Sequence, residues 1–247
     1  MAQASDVVDL LVRSANDTVV VMDLATTSFW SAEGELPGPS GVAAELGVEC
    51  VVHRIGAWAS ATLSLSDELL VMRRNDLPRL LNGSWSPYEL SAVDLPARPS
   101  AAQLDEIALA VGTVGFDEPL LPQLADSRIW YSGHDDCALR IESTDPTVPV
   151  AVFGRLLALF ARAAPTGGDP AGSSVAIPEP DAVVLGRLLH ESPRWFGVRA
   201  DSGVSEDGSA RIHLSVLPER WRLDHKWPEH VDYTATFEPG WGTWELR

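Results

Sequence analysis

Lysine and cysteine are both scarce in this chain. Lys226 is the only lysine among the 18 basic residues. The two cysteines, Cys50 and Cys137, are too far apart for the short spacing of a metal site. Both lie in predicted strands, and we interpret them as buried free thiols, with a disulfide or a redox role as the alternative.

Apolar runs long enough to cross a membrane are also missing. The longest run, residues 149–164, contains Arg155 and Arg162 and falls short of the roughly 20 residues that a bilayer crossing requires. The first 14 residues include acidic side chains and lack the basic start of a secretion signal. We therefore expect no membrane segment and a cytoplasmic location.

The motifs of common enzyme classes are absent as well. The sequence has no G-x-S-x-G nucleophile motif, no phosphate-binding loop and no dinucleotide-binding fingerprint. Gly167 and Gly168 follow a predicted helix, whereas a phosphate site would need them before one. These absences argue against nucleotide-dependent enzymes and serine hydrolases, and the sequence implies no cofactor and no metal.

Acidic residues are plentiful. The chain has 35 Asp and Glu against 18 Lys and Arg, a net charge of −17. Such a charge disfavours association with nucleic acid or with an anionic membrane surface, and it favours a basic partner. The alternative is that the acidity serves only solubility.

Helical and strand patterns both occur, and they predict an α+β fold of mostly antiparallel sheets packed with a few helices. Residues 5–13 have helical spacing, and Thr18–Leu24 is a β-branched strand. Residues 48–55 and 57–65 suggest a hairpin that turns near Gly56, with 68–73 as a third strand. Ser100 is expected to cap a second helix, and residues 128–132 and 136–143 read as paired strands.

Two segments are predicted to be connections. Residues 31–41 contain Pro37, Gly38, Pro39 and Gly41 and are expected to form a loop. Residues 76–99 are rich in proline and turn formers, and we expect them to lie as a connection against the body of the protein.

The apolar run 149–164 predicts a helix that is covered on most sides. Pro149 suits a first helical position, and Pro165 with two glycines ends the pattern. We expect two lobes arranged around this buried helix.

A composition change marks the predicted boundary between the lobes. Residues 165–180 are rich in Pro, Gly and Ser and are interpreted as a linker. Residues 1–164 form the predicted N-terminal α+β lobe. Residues 181–247 form the predicted C-terminal lobe, in which a helix is followed by four antiparallel strands near 194–200, 210–217, 231–237 and 243–246.

One candidate catalytic cluster lies in the turn between two predicted strands. His134, Asp135 and Asp136 place an imidazole beside two carboxylates, a set that can transfer protons or bind a divalent cation. Histidine and aspartate are also ordinary turn residues, which is the competing interpretation.

A second candidate site lies in residues 218–232, where aromatic and basic side chains are mixed. Such side chains are enriched at protein interfaces, although tryptophans that pack on a sheet would give the same pattern. His225 and His230 are five residues apart, which is not the spacing of a helical zinc site. The predicted partner-binding residues are Trp221, Arg222, His225, Trp227 and His230.

These observations lead to three hypotheses. The first is a non-enzymatic acidic protein that binds a basic partner protein, as an inhibitor, an immunity-type protein, or a chaperone or adaptor. The second is a hydrolytic enzyme, with or without the assistance of a metal ion, whose site lies near His134, Asp135 and Asp136. The third is a nucleic-acid mimic. The sequence leaves a homo-oligomer open.

Overall fold

The structure is a computed structural model of the 247-residue chain. Every structural statement below concerns the residues that it describes. These are 4–23, 30–31, 34–35, 38–56, 67–81, 89–114, 119–124, 126–134, 138–163, 177–191, 196–204, 210–216, 231–238 and 240–247.

Helices and antiparallel strands make up the described chain, so the fold class is α+β, as predicted. The helices are α1 (Ala4–Ser14), α2 (Pro39–Glu45), α3 (Leu77–Leu81), α4 (Ala101–Thr113), α5 (Thr147–Ala163) and α6 (Ala182–Glu191). The strands are β1 (Thr18–Asp23), β2 (Trp30–Ser31), β3 (Gly34–Glu35), β4 (Cys50–Arg54), β5 (Glu68–Arg73), β6 (Glu89–Leu95), β7 (Ile129–His134), β8 (Ala138–Ser143), β9 (Phe196–Val204), β10 (Ala210–Val216), β11 (Val231–Glu238) and β12 (Thr243–Leu246).

The chain divides into two compact units. One unit is Val8–Asp145, and the other consists of Met1–Val7 and Pro146–Arg247. We call them the N-terminal unit and the C-terminal unit. The lobe boundaries inferred from composition remain predictions.

The N-terminal unit contains a six-stranded antiparallel sheet in the order β4-β5-β1-β6-β7-β8. β1 is a central strand, and its apolar β-branched residues suit a position that is buried on both faces. Val20 and Met22 point to one face, and Val19 and Val21 point to the other, and all four are buried. The sheet therefore holds the core of this unit.

Helix α4 covers one face of the sheet, as its spacing predicts. Leu104, Ile107, Ala108 and Val111 are buried and belong to the same apolar cluster as residues of β1, β5, β6 and β7. The predicted cap is confirmed. The Ser100 hydroxyl accepts a hydrogen bond from the Gln103 backbone N–H, while the Gln103 side chain accepts one from the Ser100 backbone.

The structure corrects the interpretation of residues 76–99 as a connection. Residues 89–95 form β6, which lies between β1 and β7 in the sheet, and residues 77–81 form α3. Polar residues obscured the strand pattern, because Ser91 and Asp94 are buried where apolar residues would be expected. Their polar atoms are satisfied: the Trp130 Nε1–H donates to the Ser91 hydroxyl over 2.6 Å, and Asp94 accepts backbone hydrogen bonds.

The predicted loop 31–41 also differs from the structure in part. Residues 39–41 begin helix α2, with Pro39 in its first turn and Val42 and Ala43 buried. Proline is tolerated there because the first-turn N–H groups have no partner within the helix. Within this region, β2 and β3 form a small antiparallel pair. The proposed strand 57–65 lies outside the described residues.

The C-terminal unit contains a four-stranded antiparallel sheet in the order β12-β11-β10-β9, as predicted for the end of the chain. Phe153, Leu157 and Ala161 of α5 and Leu185 of α6 form an apolar cluster with strand β11. Val184 of α6 is 39% exposed. Phe237 and Trp244 pack with their ring centroids 5.4 Å apart.

Helix α5 confirms the predicted apolar helix, although it begins two residues earlier, at Thr147. The residues just before α6, at the end of the predicted linker, contact α5 and β12 within the C-terminal unit. The Glu179 carboxylate lies 3.5 Å from the Arg155 Nε, and the Pro178 carbonyl accepts a hydrogen bond from the Trp244 Nε1–H.

Among the described helices, none has both the length and the apolar character needed to cross a bilayer.

Candidate functional site

The predicted catalytic cluster is only partly within the described residues. His134 is the last residue of β7, and its backbone pairs with Glu89 of β6 and with Ala138 of β8. Glu89 and His134 therefore occupy paired register positions in β6 and β7. Asp135 and Asp136 lie outside the described residues.

The predicted partner-binding residues Trp221, Arg222, His225, Trp227 and His230 all lie outside the described residues. Within the described ranges, no group of three or more His, Cys, Asp or Glu side chains is arranged to hold a metal ion.

The described residues bring together a different surface, at the edge strand β4. In the described part of the sheet, β4 is paired on one side only, with β5, in a regular register from Cys50 opposite Met72 to Arg54 opposite Glu68. Val51 and Val52 are 43% and 39% exposed, and they project from opposite faces of the sheet. The edge therefore presents apolar side chains to solvent on both faces.

Backbone groups of β4 also point outward. The Ile55 N–H donates to the Asp67 carbonyl, so these two residues are a hydrogen-bonded pair of the antiparallel ladder. Such pairs alternate along a strand, which makes His53 and Val51 the next residues bonded to β5. The N–H and C=O groups of Cys50, Val52 and Arg54 consequently point away from β5.

His53 connects this edge to helix α4. The Nε2 atom of His53 lies 2.9 Å from the Oδ1 atom of Asp105. The side chain of His53 is 18% exposed, and that of Asp105 is 49% exposed. An imidazole held by a carboxylate can move a proton, but it also fixes a strand against a helix. The second role fits the geometry, because Asp105 comes from the helix that covers this face.

Arg54 is held by two carboxylates on the opposite face of the strand. Its guanidinium donates to Glu68 over 2.7 Å and to Asp67 over 3.2 Å. The Glu68 carboxylate is buried, and it also accepts a hydrogen bond from the Ser40 N–H near the start of α2. The positive charge of Arg54 is therefore neutralised locally.

Cys50, the first residue of β4, is a half-buried free thiol, and Cys137 lies outside the described residues. Burial raises the pKa of the Cys50 thiol above its ordinary value, and the nearby Glu68 charge raises that pKa further. Both causes favour the neutral thiol over the reactive thiolate, so a nucleophilic role is disfavoured.

We call this region the β4 edge surface: Glu49, Cys50–Arg54, Asp67, Glu68 and Asp105. It carries four carboxylates against one guanidinium and one imidazole. Sequence patterns indicated a strand here but not its position in the sheet, since an edge strand is defined by partners that are distant in sequence. The sequence feature that could have pointed to this surface is the apolar pair Val51 and Val52, close to the acidic Glu49.

Comparison with known proteins adds no further assignment. No protein-family model matches the chain, no curated protein matches its sequence, and no solved structure matches its fold. The class is therefore defined by the structure itself: an acidic α+β protein with a six-stranded and a four-stranded antiparallel sheet.

Proposed function

We propose that this protein acts without catalysis, by binding a basic partner protein through its acidic N-terminal unit. The observation that carries the proposal is the uneven distribution of charge. Residues 8–145 contain 21 Asp and Glu against 8 Arg, a net charge of −13. The remaining residues contain 14 acidic against 10 basic residues, a net charge of −4.

Solubility alone would not require this concentration in one unit. Many of its acidic residues are exposed, among them Asp9, Asp17, Glu49, Asp67 and Glu106. A surface field of this kind attracts a basic protein before contact, which raises the association rate and makes that rate fall as salt screens the charges.

The finer parts of the proposal follow from the same reasoning. The protein is an inhibitor, an immunity-type protein, or a chaperone or adaptor, and it works in the cytoplasm. Residues 218–232, with Trp221 and Trp227, remain a predicted second contact. Trp221→Ala and Trp227→Ala should weaken partner binding if that segment is in the interface.

Affinity capture followed by kinetics tests the proposal. The intact protein is used as bait in native lysate, captured proteins are identified by mass spectrometry, and the purified partner is studied by surface plasmon resonance at 50 and 300 mM NaCl. We expect a basic partner whose association rate falls at least tenfold between the two salt concentrations. An acidic partner, or a rate that does not change with salt, would contradict the proposal.

A second candidate function is hydrolysis near His134. One observation favours it: the backbone of Glu89 in β6 pairs with that of His134 in β7, so the sheet register brings a further acidic residue beside the predicted cluster. The test is the metal content of the purified protein and its activity on ester, phosphoester and peptide substrates, with His134→Ala as the control. Activity that His134→Ala abolishes would support this function, and activity that survives the substitution would exclude it.

A further inference from the structure

Strand β4 lacks three features by which proteins commonly protect the edges of sheets. Edge strands are commonly blocked by lysine, by proline or by a β-bulge. Strand β4, with the sequence CVVHR, has no lysine and no proline, and its five register pairs with β5 run without a shift. The edge strand β9 differs, because its pairing with β10 has a register shift.

No described strand pairs with the outer side of β4, so the outward backbone groups could take an added strand. Three N–H and three C=O groups of β4 point outward, and they belong to Cys50, Val52 and Arg54. The hydrogen bond between Ile55 and Asp67 fixes this alternation along the strand. An extended segment placed beside β4 would pair with these groups, and its alternating side chains would contact Val51 on one face and Val52 on the other.

The charges around the edge define the chemistry of that segment. Glu49 precedes the strand, Asp67 flanks its end, and Asp105 lies on the α4 face, while Arg54 is already neutralised by Asp67 and Glu68. An acidic segment would be repelled by this surface and by the −13 charge of the N-terminal unit. A basic segment would be attracted.

We propose that strand β4 is a docking edge that accepts an extended basic segment of a partner protein as an added strand. This inference rests on the proposed function and identifies the surface and the kind of segment it binds. Main-chain hydrogen bonds supply the affinity, and the carboxylates supply the preference for lysine or arginine.

A synthetic probe tests the inference without knowledge of the partner. The probe is a fluorescent nine-residue peptide that alternates lysine and valine, and its binding to the full chain is measured by anisotropy. One control peptide is N-methylated at alternate backbone nitrogens, which retains charge but blocks strand pairing. A second control replaces each lysine with glutamate. We expect each control to bind at least about tenfold more weakly.

Hydrogen exchange locates the bound peptide at single residues. We expect the amides of Cys50, Val52 and Arg54 to gain protection when the lysine–valine peptide binds, whereas Val51 and His53 are already protected by β5. Protection of these three amides in the free chain would overturn the inference, because it would show that a second copy or another segment of this chain occupies the edge. Sedimentation of the free chain distinguishes those two occupants.

Two matched charge reversals localise the effect. Glu49→Lys lies beside β4, and Asp9→Lys produces the same change in net charge on helix α1, where Asp9 is exposed. We expect Glu49→Lys to weaken peptide binding about fivefold and Asp9→Lys less than twofold. Equal effects would overturn local docking.

The outcomes also separate this inference from the proposed function. Equal binding of the plain and N-methylated peptides would overturn strand addition at β4. A captured basic partner with salt-dependent association would still support the proposed function in that case. Loss of salt dependence with the captured partner would instead contradict the proposed function itself.

Discussion

Asp94 is a buried carboxylate that joins three segments of the N-terminal unit. It lies in β6, and its two oxygens accept hydrogen bonds from the backbone N–H groups of Asn16, Arg128 and Ile129 over 2.6, 2.7 and 2.8 Å. A buried polar group is tolerated when such bonds replace those it made to water. Asp94 thereby fixes the segment before β1 and the start of β7 relative to β6.

Replacing Asp94 should be strongly destabilising. Asp94→Ala leaves three backbone N–H groups without their acceptor, and we expect the free energy of unfolding to fall by about 3–5 kcal/mol. Asp94→Asn keeps one acceptor oxygen and should cost less. Urea denaturation, with hydrogen exchange of the Ile129 amide as the local probe, measures both variants. A loss below about 1 kcal/mol for Asp94→Ala would contradict this role.

Tyr131 contrasts with Asp94, whose buried carboxylate accepts three hydrogen bonds. Its hydroxyl is buried and has no hydrogen-bond partner among the described residues. Burial raises the pKa of Tyr131 above its ordinary value. We expect Tyr131→Phe to raise the free energy of unfolding by about 1 kcal/mol, because the unpaired hydroxyl is removed from the core. A decrease of similar size would show that the hydroxyl is paired.

Tyr131 should also make the protein sensitive to alkali. The folded protein retains the Tyr131 proton that the unfolded chain loses near the ordinary tyrosine pKa of about 10. The wild-type free energy of unfolding should therefore be unaffected by this group below about pH 10 and should decrease above that pH. Tyr131→Phe should lose this part of the decrease, which denaturant titrations at pH 9, 10 and 11 would measure.

At the scale of elements, the glycines of α5 and α6 allow a matched comparison. A Cβ at Gly154 would lie 3.2 Å from a Leu185 methyl group, whereas a Cβ at Gly186 would meet nothing within 4 Å. Gly186→Ala should stabilise the protein by up to about 1 kcal/mol through helix propensity. Gly154→Ala should gain less, because Leu185 must move. Equal gains in urea denaturation would show that α5 and α6 have room between them.

Strand β4 permits a test of its register by proline scanning. The Val52 N–H points away from β5, so Val52→Pro retains the ladder, whereas Val51→Pro removes a hydrogen bond to β5. We expect Val51→Pro to cost about 3 kcal/mol and Val52→Pro about 1 kcal/mol or less. The reverse order in thermal or urea denaturation would mean that the outward residues are misassigned.

Elements with a local signal were predicted well from the sequence. Helix α4 has a capping box and a regular apolar spacing, and β10 and β11 alternate clearly, so each could be recognised from neighbouring residues. Strand β6 and helix α2 could not be recognised from neighbouring residues. Asp94 is acceptable inside a strand only because distant backbone N–H groups meet it. Helix α2 has only seven residues, and Pro39 and Gly41 in its first turn are typical of a loop.

At the scale of the whole molecule, the two units differ in net charge. The −17 net charge was visible from composition, but its concentration in residues 8–145 became meaningful only when these residues were seen to form one unit. Repulsion within a unit of charge −13 opposes its compact state, and salt screens that repulsion. The same charge that is proposed to attract a basic partner therefore lowers the stability of the free protein.

The candidate sites were less predictable than the fold. His134 could be placed between two strands from the sequence, but its position opposite Glu89 depended on β6, which the sequence pattern did not reveal. The β4 edge surface combines residues 49–54, 67–68 and 105. These residues are brought together by strand pairing and by the packing of α4, neither of which has a local signature.

The amino-acid sequence by itself determined the acidic character, the α+β class, the apolar helix α5 and the antiparallel strands at the end of the chain. Charge is additive, and helical or alternating patterns act over neighbouring residues. Only the tertiary structure decided that β6 is a central strand and that β4 is an edge strand with outward Cys50, Val52 and Arg54. Strand order depends on hydrogen bonds between segments that are far apart in the chain, so an edge becomes visible only after the sheet has formed.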